Sequence, residues 1–77
     1  MLSRSVARRY HLIYYLSDRE LEVLKQLASG SSLVDIAAKL HLSSNTVMTY
    51  RSRVLAKLGL KGNAALTRYA IENKLIS

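Results

Sequence analysis

The chain has 77 residues, 49% of them apolar, with no cysteine, no proline and a formal net charge of +7. This length allows one domain with a small core, and the apolar content argues against disorder by composition. Disulfides, thiolate zinc sites and thiol nucleophiles are excluded, and the longest apolar run, residues 12–16, is far too short for a membrane span. The basic N-terminus is not followed by the apolar stretch of a secretion signal, so a soluble cytoplasmic protein is expected.

The charge is unevenly placed. Residues 1–15 carry Arg4, Arg8 and Arg9 and no acid. Residues 16–35 are net acidic, through Asp18, Glu20, Glu22 and Asp35 against Arg19 and Lys25. Beyond them, Lys39, Arg51, Arg53, Lys57, Lys61, Arg68 and Lys74 face Glu72 alone. The second half and the leading arm thus suit a polyanion, most simply nucleic acid, although a solubilising surface has the same composition.

In chain order, residues 1–15 are basic, then aromatic and β-branched, and read as an arm, a linker or a short helix. The arm's Leu12, Ile13, Tyr14 and Tyr15 suit packing onto the first helix or onto a neighbouring domain. Ser17-Asp18-Arg19-Glu20 fits a capping box that opens a first helix, with Leu16 stapled onto Leu21. Leu21, Leu24, Leu27 and Ala28 repeat at helical spacing, and Gly30 is the expected residue beyond the helix end. A second helix, capped by Ser32, has Val34, Ile36, Ala37 and Leu40 as its apolar positions. Residues 41–43 form a turn in which Leu42 plugs the corner. A third helix, capped by Ser43 or Ser44, buries Val47, Tyr50, Val54 and Leu58. On the same wheel Asn45, Met48, Thr49, Ser52 and Ala56 face outward, flanked by Arg53 and Lys57 on one edge and Arg51 on the other. Gly59 ends this helix. A fourth helix, capped by Asn63, turns Leu66, Tyr69 and Ala70 inward and Ala64, Thr67 and Ile71 outward, and Leu75 or Ile76 packs back after it.

The expected fold is therefore all-α, a four-helix helix-turn-helix domain over residues 16–77 with an N-terminal arm or linker over residues 1–15. A helix-turn-helix places its second helix in the DNA major groove while the first braces it. Met48, Thr49 and Ser52 are the base-edge candidates. Arg51, Arg53 and Lys57 are phosphate candidates, joined by Asn45 and Thr46 near the helix start. Tyr50 is a core position whose hydroxyl lies within reach of a phosphate. No nucleophile, paired carboxylate or phosphate loop points to an enzyme, and no cofactor is implied. His11 and His41 lack metal-ligand spacing. Glu20 reads as a cap or as the partner of a nearby base.

Leu16-Ser17-Asp18-Arg19-Glu20-Leu21-Glu22-Val23-Leu24 resembles the opening of the LuxR/NarL/FixJ-type DNA-binding domain. Asp35-Ile36-Ala37, Leu40-His41-Leu42-Ser43, Thr46-Val47 and Lys57-Leu58-Gly59 continue the resemblance in order, over roughly residues 16–76. It implies bacterial transcription regulation, with double-stranded DNA as partner and the chain as the output domain of a two-component response regulator. It also implies a homodimer on DNA through the last helix (Ala64, Thr67, Arg68, Ile71), and RNA polymerase or an N-terminal receiver domain as further partners. Four positions depart from the family pattern. Met48 stands where a basic residue is frequent, Tyr50 where a histidine is usual, Asn63 where a basic residue is common, and Lys74 where a glycine precedes the final leucine. With Lys74 in that place, Asn73 is expected to take the left-handed cap. The alternative reading is a helix-turn-helix that serves as a protein–protein interaction module in a transcription complex.

Overall fold

The computed structural model describes residues 15–75. Among them lie four helices, α1 (Asp18–Ala28), α2 (Leu33–Leu40), α3 (Ser44–Leu58) and α4 (Asn63–Glu72), and no strand. The expected arm, apart from Tyr15, and Ile76 lie outside the described residues.

Three helices start in one way. Ser17, Ser32 and Ser43 stand in extended backbone just before α1, α2 and α3, and each hydroxyl oxygen accepts the N–H of the third helical residue at 3.1 Å. Such a cap replaces one of the hydrogen bonds that a helix start lacks and contributes about 1 kcal/mol. At Ser17 the arrangement is reciprocal, because Glu20 accepts the Ser17 N–H at 2.8 Å. The fourth helix departs from expectation. Gly62 occupies the position before α4, no side chain caps it, and Asn63 is the first helical residue. The Asn63 amide oxygen is engaged elsewhere, by Arg51.

All four helices also end alike. An N–H two or three residues beyond the helix end reaches back to the carbonyl five positions earlier: Ser31 to Gln26, Leu42 to Ala37, Leu60 to Leu55 and Leu75 to Ala70, at 2.8 to 3.0 Å. This closure needs a left-handed residue just before that donor. Gly30 and Gly59 supply it at φ 95° and 67°, whereas His41 and Lys74 adopt φ 56° and 57° despite their side chains. Asn73, expected in that role, stays at φ −97°. Both its backbone N–H and its side-chain amide donate to the Tyr69 carbonyl, which holds it on the helix and passes the reversal to Lys74.

α1 is the hub and packs against α2, α3 and α4, while α2 also packs against α3. Its inward face is Glu20, Val23, Leu24, Leu27 and Ala28, spaced for a single helical stripe. Val23 is fully buried, and the anticipated Leu21 lies at the rim. Ile36 and Ala37 of α2, Val47, Val54 and Leu58 of α3, and Leu66, Tyr69 and Ala70 of α4 complete the core. Leu42, Leu60 and Leu75, which follow three of the left-handed residues, pack onto its edge. Val34 was expected inside and is 68% exposed. At about 100° per residue the core stripe of α2 is Leu33, Ile36, Ala37 and Leu40, and Val34 sits one step round the helix from it.

The left-handed ends carry a stability prediction. Lys74→Gly removes a side chain from a conformation that costs an L-residue about 1–2 kcal/mol, against roughly 0.5–1 kcal/mol of added chain entropy. The variant is expected to gain about 0.5–1 kcal/mol in urea unfolding with an unchanged slope. Gly59→Ala should lose a comparable amount, although a Cβ there meets nothing within 4 Å.

Candidate nucleic-acid interface

The sequence of α3 separates two sides cleanly. Val47, Val54 and Leu58 are buried, with Tyr50 half-buried beside them. Asn45, Met48, Thr49, Ser52 and Ala56 are all exposed, as the wheel of the sequence requires. Met48 is 51% exposed, large for an apolar side chain on an otherwise small and polar strip. No acidic residue lies within α3.

The side chains near the start of α3 are partly committed. Ser43 caps Thr46, and the two hydroxyls bond each other at 2.8 Å. The Thr49 hydroxyl donates to the Asn45 carbonyl one turn back, at 3.1 Å. Such back-bonding satisfies the hydroxyl proton within the helix, so the groups that this exposed side chain has left to offer are its γ-methyl and an oxygen lone pair.

The flanking cations differ from one another. Arg53 is exposed, and its guanidinium carbon lies 6.0 Å from the centroid of the Tyr50 ring, at the outer limit of a cation–π contact. Arg51 is half-buried, and its Nε donates to the Asn63 side chain at 3.0 Å, tying α3 to the first residue of α4. Lys57 departs most from the free surface cation that was expected. Its ammonium donates to Glu20 Oε1 at 2.7 Å and to the Tyr15 carbonyl at 3.0 Å.

Glu20 is thus both of the things expected of it, a cap and the partner of a base. One carboxylate oxygen accepts from the Ser17 N–H and from the Lys57 ammonium. The pair is lopsided: the Glu20 side chain is 3% exposed and that of Lys57 39%. Burial pushes the Glu20 carboxyl up, but the hydrogen bond and charge of Lys57 and the two bonds with Ser17 outweigh it. The net result is a value below the ordinary glutamate range.

The Glu20–Lys57 contact spans 37 residues and was missed in the sequence because both ends had local explanations. One signal was present. At about 100° per residue, Lys57 lies nearer Tyr50 than Ser52, on the border of the buried face. Arg51 with Asn63 is a second such pair, concealed by reading Asn63 as a cap.

Around the dimer candidates of α4, Ala64, Arg68 and Ile71 are exposed and Thr67 is half-buried, with Ile71 at 52%. Among the described residues, no cluster of His, Asp and Glu is placed to hold a metal ion, and no helix is long and apolar enough to cross a membrane.

A carboxyl with a depressed folded-state value stabilises the fold fully above its unfolded value of about 4.3, and this contribution disappears as pH falls through the lower folded value. Stability of the wild type should therefore drop with acidification below that range. Glu20→Gln, which preserves a capping oxygen but not the charge, is expected to start less stable at neutral pH and to show a shallower acid limb in urea titrations.

Comparison with known proteins adds to this geometry. Residues 14–70 match the family model described as bacterial regulatory proteins, luxR family. The oxygen regulatory protein NreC of Staphylococcus aureus strains JH9 and JH1 is 43% identical over 61 residues, 79% of this chain. The same protein of strain NCTC 8325 is equally similar. The chain spans 28% of the length of these relatives. With three helices packed on α1, a helix-turn-helix in α2 and α3, and a family match over most of its length, the chain belongs to the luxR family of bacterial regulatory proteins as a DNA-binding, non-enzymatic transcription regulator domain.

Proposed function

We propose that α3 enters the major groove of double-stranded DNA, reads bases through Met48, Thr49 and Ser52, and does so as the output domain of a two-component response regulator in the bacterial cytoplasm. The observation that carries this reading is the outward strip of α3, exposed along its length, free of acid, edged by arginine and braced by α1 and α2. A 15-residue helix is about 22 Å long and about 10–12 Å wide, which suits a groove about 12 Å across.

Phosphate contact is assigned first to Arg53, the exposed arginine of α3, and to Asn45 and Thr46 at the helix start, where unpaired backbone N–H groups favour anions. Arg51 and Tyr50 lie on the borders of the strip and approach the strands from the side. Lys57 contributes chiefly by fixing the end of α3 through Glu20, and its partly exposed ammonium keeps one N–H for a phosphate.

A homodimer forms through Ala64, Thr67, Arg68 and Ile71 of α4 and sets the spacing of two half-sites. The exposure of Ile71 on a short, mostly small-residue surface supports this assignment. The match to part of longer regulatory proteins supports an N-terminal receiver domain as neighbour, with RNA polymerase as the partner of the complete regulator.

Two measurements test the proposal. Duplex affinity should fall with salt, and Arg53→Ala should flatten the slope of log affinity against log salt by about one. A parallel line of lower affinity would instead mean lost packing, and an absence of salt-dependent binding would favour the protein-interaction module. Ile71→Glu should weaken binding to a paired site far more than to a single half-site. Equal loss on both would remove α4 from the dimer interface.

A further inference from the structure

We infer that the reading strip of α3 recognises the 5-methyl groups of thymine, so that its target carries thymine at the steps facing Met48 and Thr49. The inference rests on α3 being the groove helix and concerns only what that helix reads.

The major-groove edges of the bases offer many hydrogen-bonding groups and one apolar group, the thymine methyl. Guanine is most often read by a lysine or arginine placed over its O6 and N7. No such residue stands on the exposed strip of α3, since Arg53 lies at its margin against the Tyr50 ring. Met48 instead offers an unbranched thioether at the near end of the strip, more than half exposed and able to shape itself to a small apolar group. Thr49, its neighbour, has already donated its hydroxyl proton to the Asn45 carbonyl. Its outward chemistry is therefore a methyl group and an acceptor lone pair, which again matches a methyl better than a guanine edge. The two side chains together form an apolar step on a polar strip. Burying a large exposed thioether against the thymine methyl removes both from water.

The test uses the 77-residue chain itself. Bound sequences are selected from random duplexes, and each thymine of the selected site is then replaced singly by deoxyuridine, which lacks only the methyl group. Loss of one buried methyl corresponds to about fourfold in affinity. At least one thymine per half-site, the one facing Met48, should show a loss of that size with the wild type and none with Met48→Ala. A second thymine, or the same one, should become insensitive in Thr49→Ser, while Thr49→Val, which retains the methyl and removes the hydroxyl, keeps the sensitivity. Met48 and Thr49 are exposed, so these variants remain folded. Salt-dependent duplex binding with every deoxyuridine tolerated would overturn methyl reading while leaving the groove assignment intact. A selected site with guanine rather than thymine at the positions where Met48→Ala relaxes the preference would do the same. Failure to bind any duplex would instead remove the groove assignment on which the inference stands.

Discussion

The Glu20 carboxylate holds together two parts of the fold that sequence-local forces would leave independent. It closes the cap at the start of α1 and, through Lys57, fixes the last turn of α3 against it. A glutamate that is 2% exposed is tolerable because its carboxylate accepts from the Ser17 N–H and from the Lys57 ammonium. The position of α3 relative to the core thus depends on an ion pair as well as on Val47, Val54 and Leu58. The Tyr15 carbonyl joins the same ammonium, so the backbone entering α1 is bound to the same point. For a domain of this size, whose hydrophobic core is small, such a tie has leverage that it would lack in a larger protein.

Local physics made most of the architecture readable. Serine caps at Ser17, Ser32 and Ser43, glycine reversals after α1 and α3, and the wheel of α3 all act within a few residues, and each appears where the sequence placed it. Two of the misplacements share a cause: a residue with two competing roles. Asn63 has the chemistry of a cap but serves Arg51, and Asn73 has the chemistry of a left-handed residue but folds onto Tyr69. Val34 and Leu33 are both apolar neighbours at the start of α2, and it is Leu33 that shares the angle of Ile36, Ala37 and Leu40. By its charge Lys57 reads as a free cation, and although its angle puts it on the border of the buried face, its partner lies 37 residues away, where periodicity names no residue. The outward strip of α3 was legible because exposure follows from angle alone. What that strip binds rests on chemistry that angle does not contain.

The contact between Arg51 and Asn63 links the helix proposed to read DNA with the helix proposed to pair two copies. It is solvent-exposed and individually weak. Its interest lies in its placement, since it joins the two elements whose mutual angle would decide how far apart two reading helices stand. A cation in place of Asn63 would repel Arg51, so the two positions are chemically coupled in this chain.

The strip of Asn45, Met48, Thr49, Ser52 and Ala56 has a consequence for how such a domain diversifies. None of these side chains belongs to the buried core, and exposed substitutions of this kind usually change stability by no more than about 0.5 kcal/mol. Residues that carry the fold and residues that face the outside of α3 are nearly disjoint sets. Descendants of one ancestral gene can therefore drift in what they recognise without first acquiring compensating changes in the interior, and duplicated copies can part company in their targets while remaining interchangeable as folded objects.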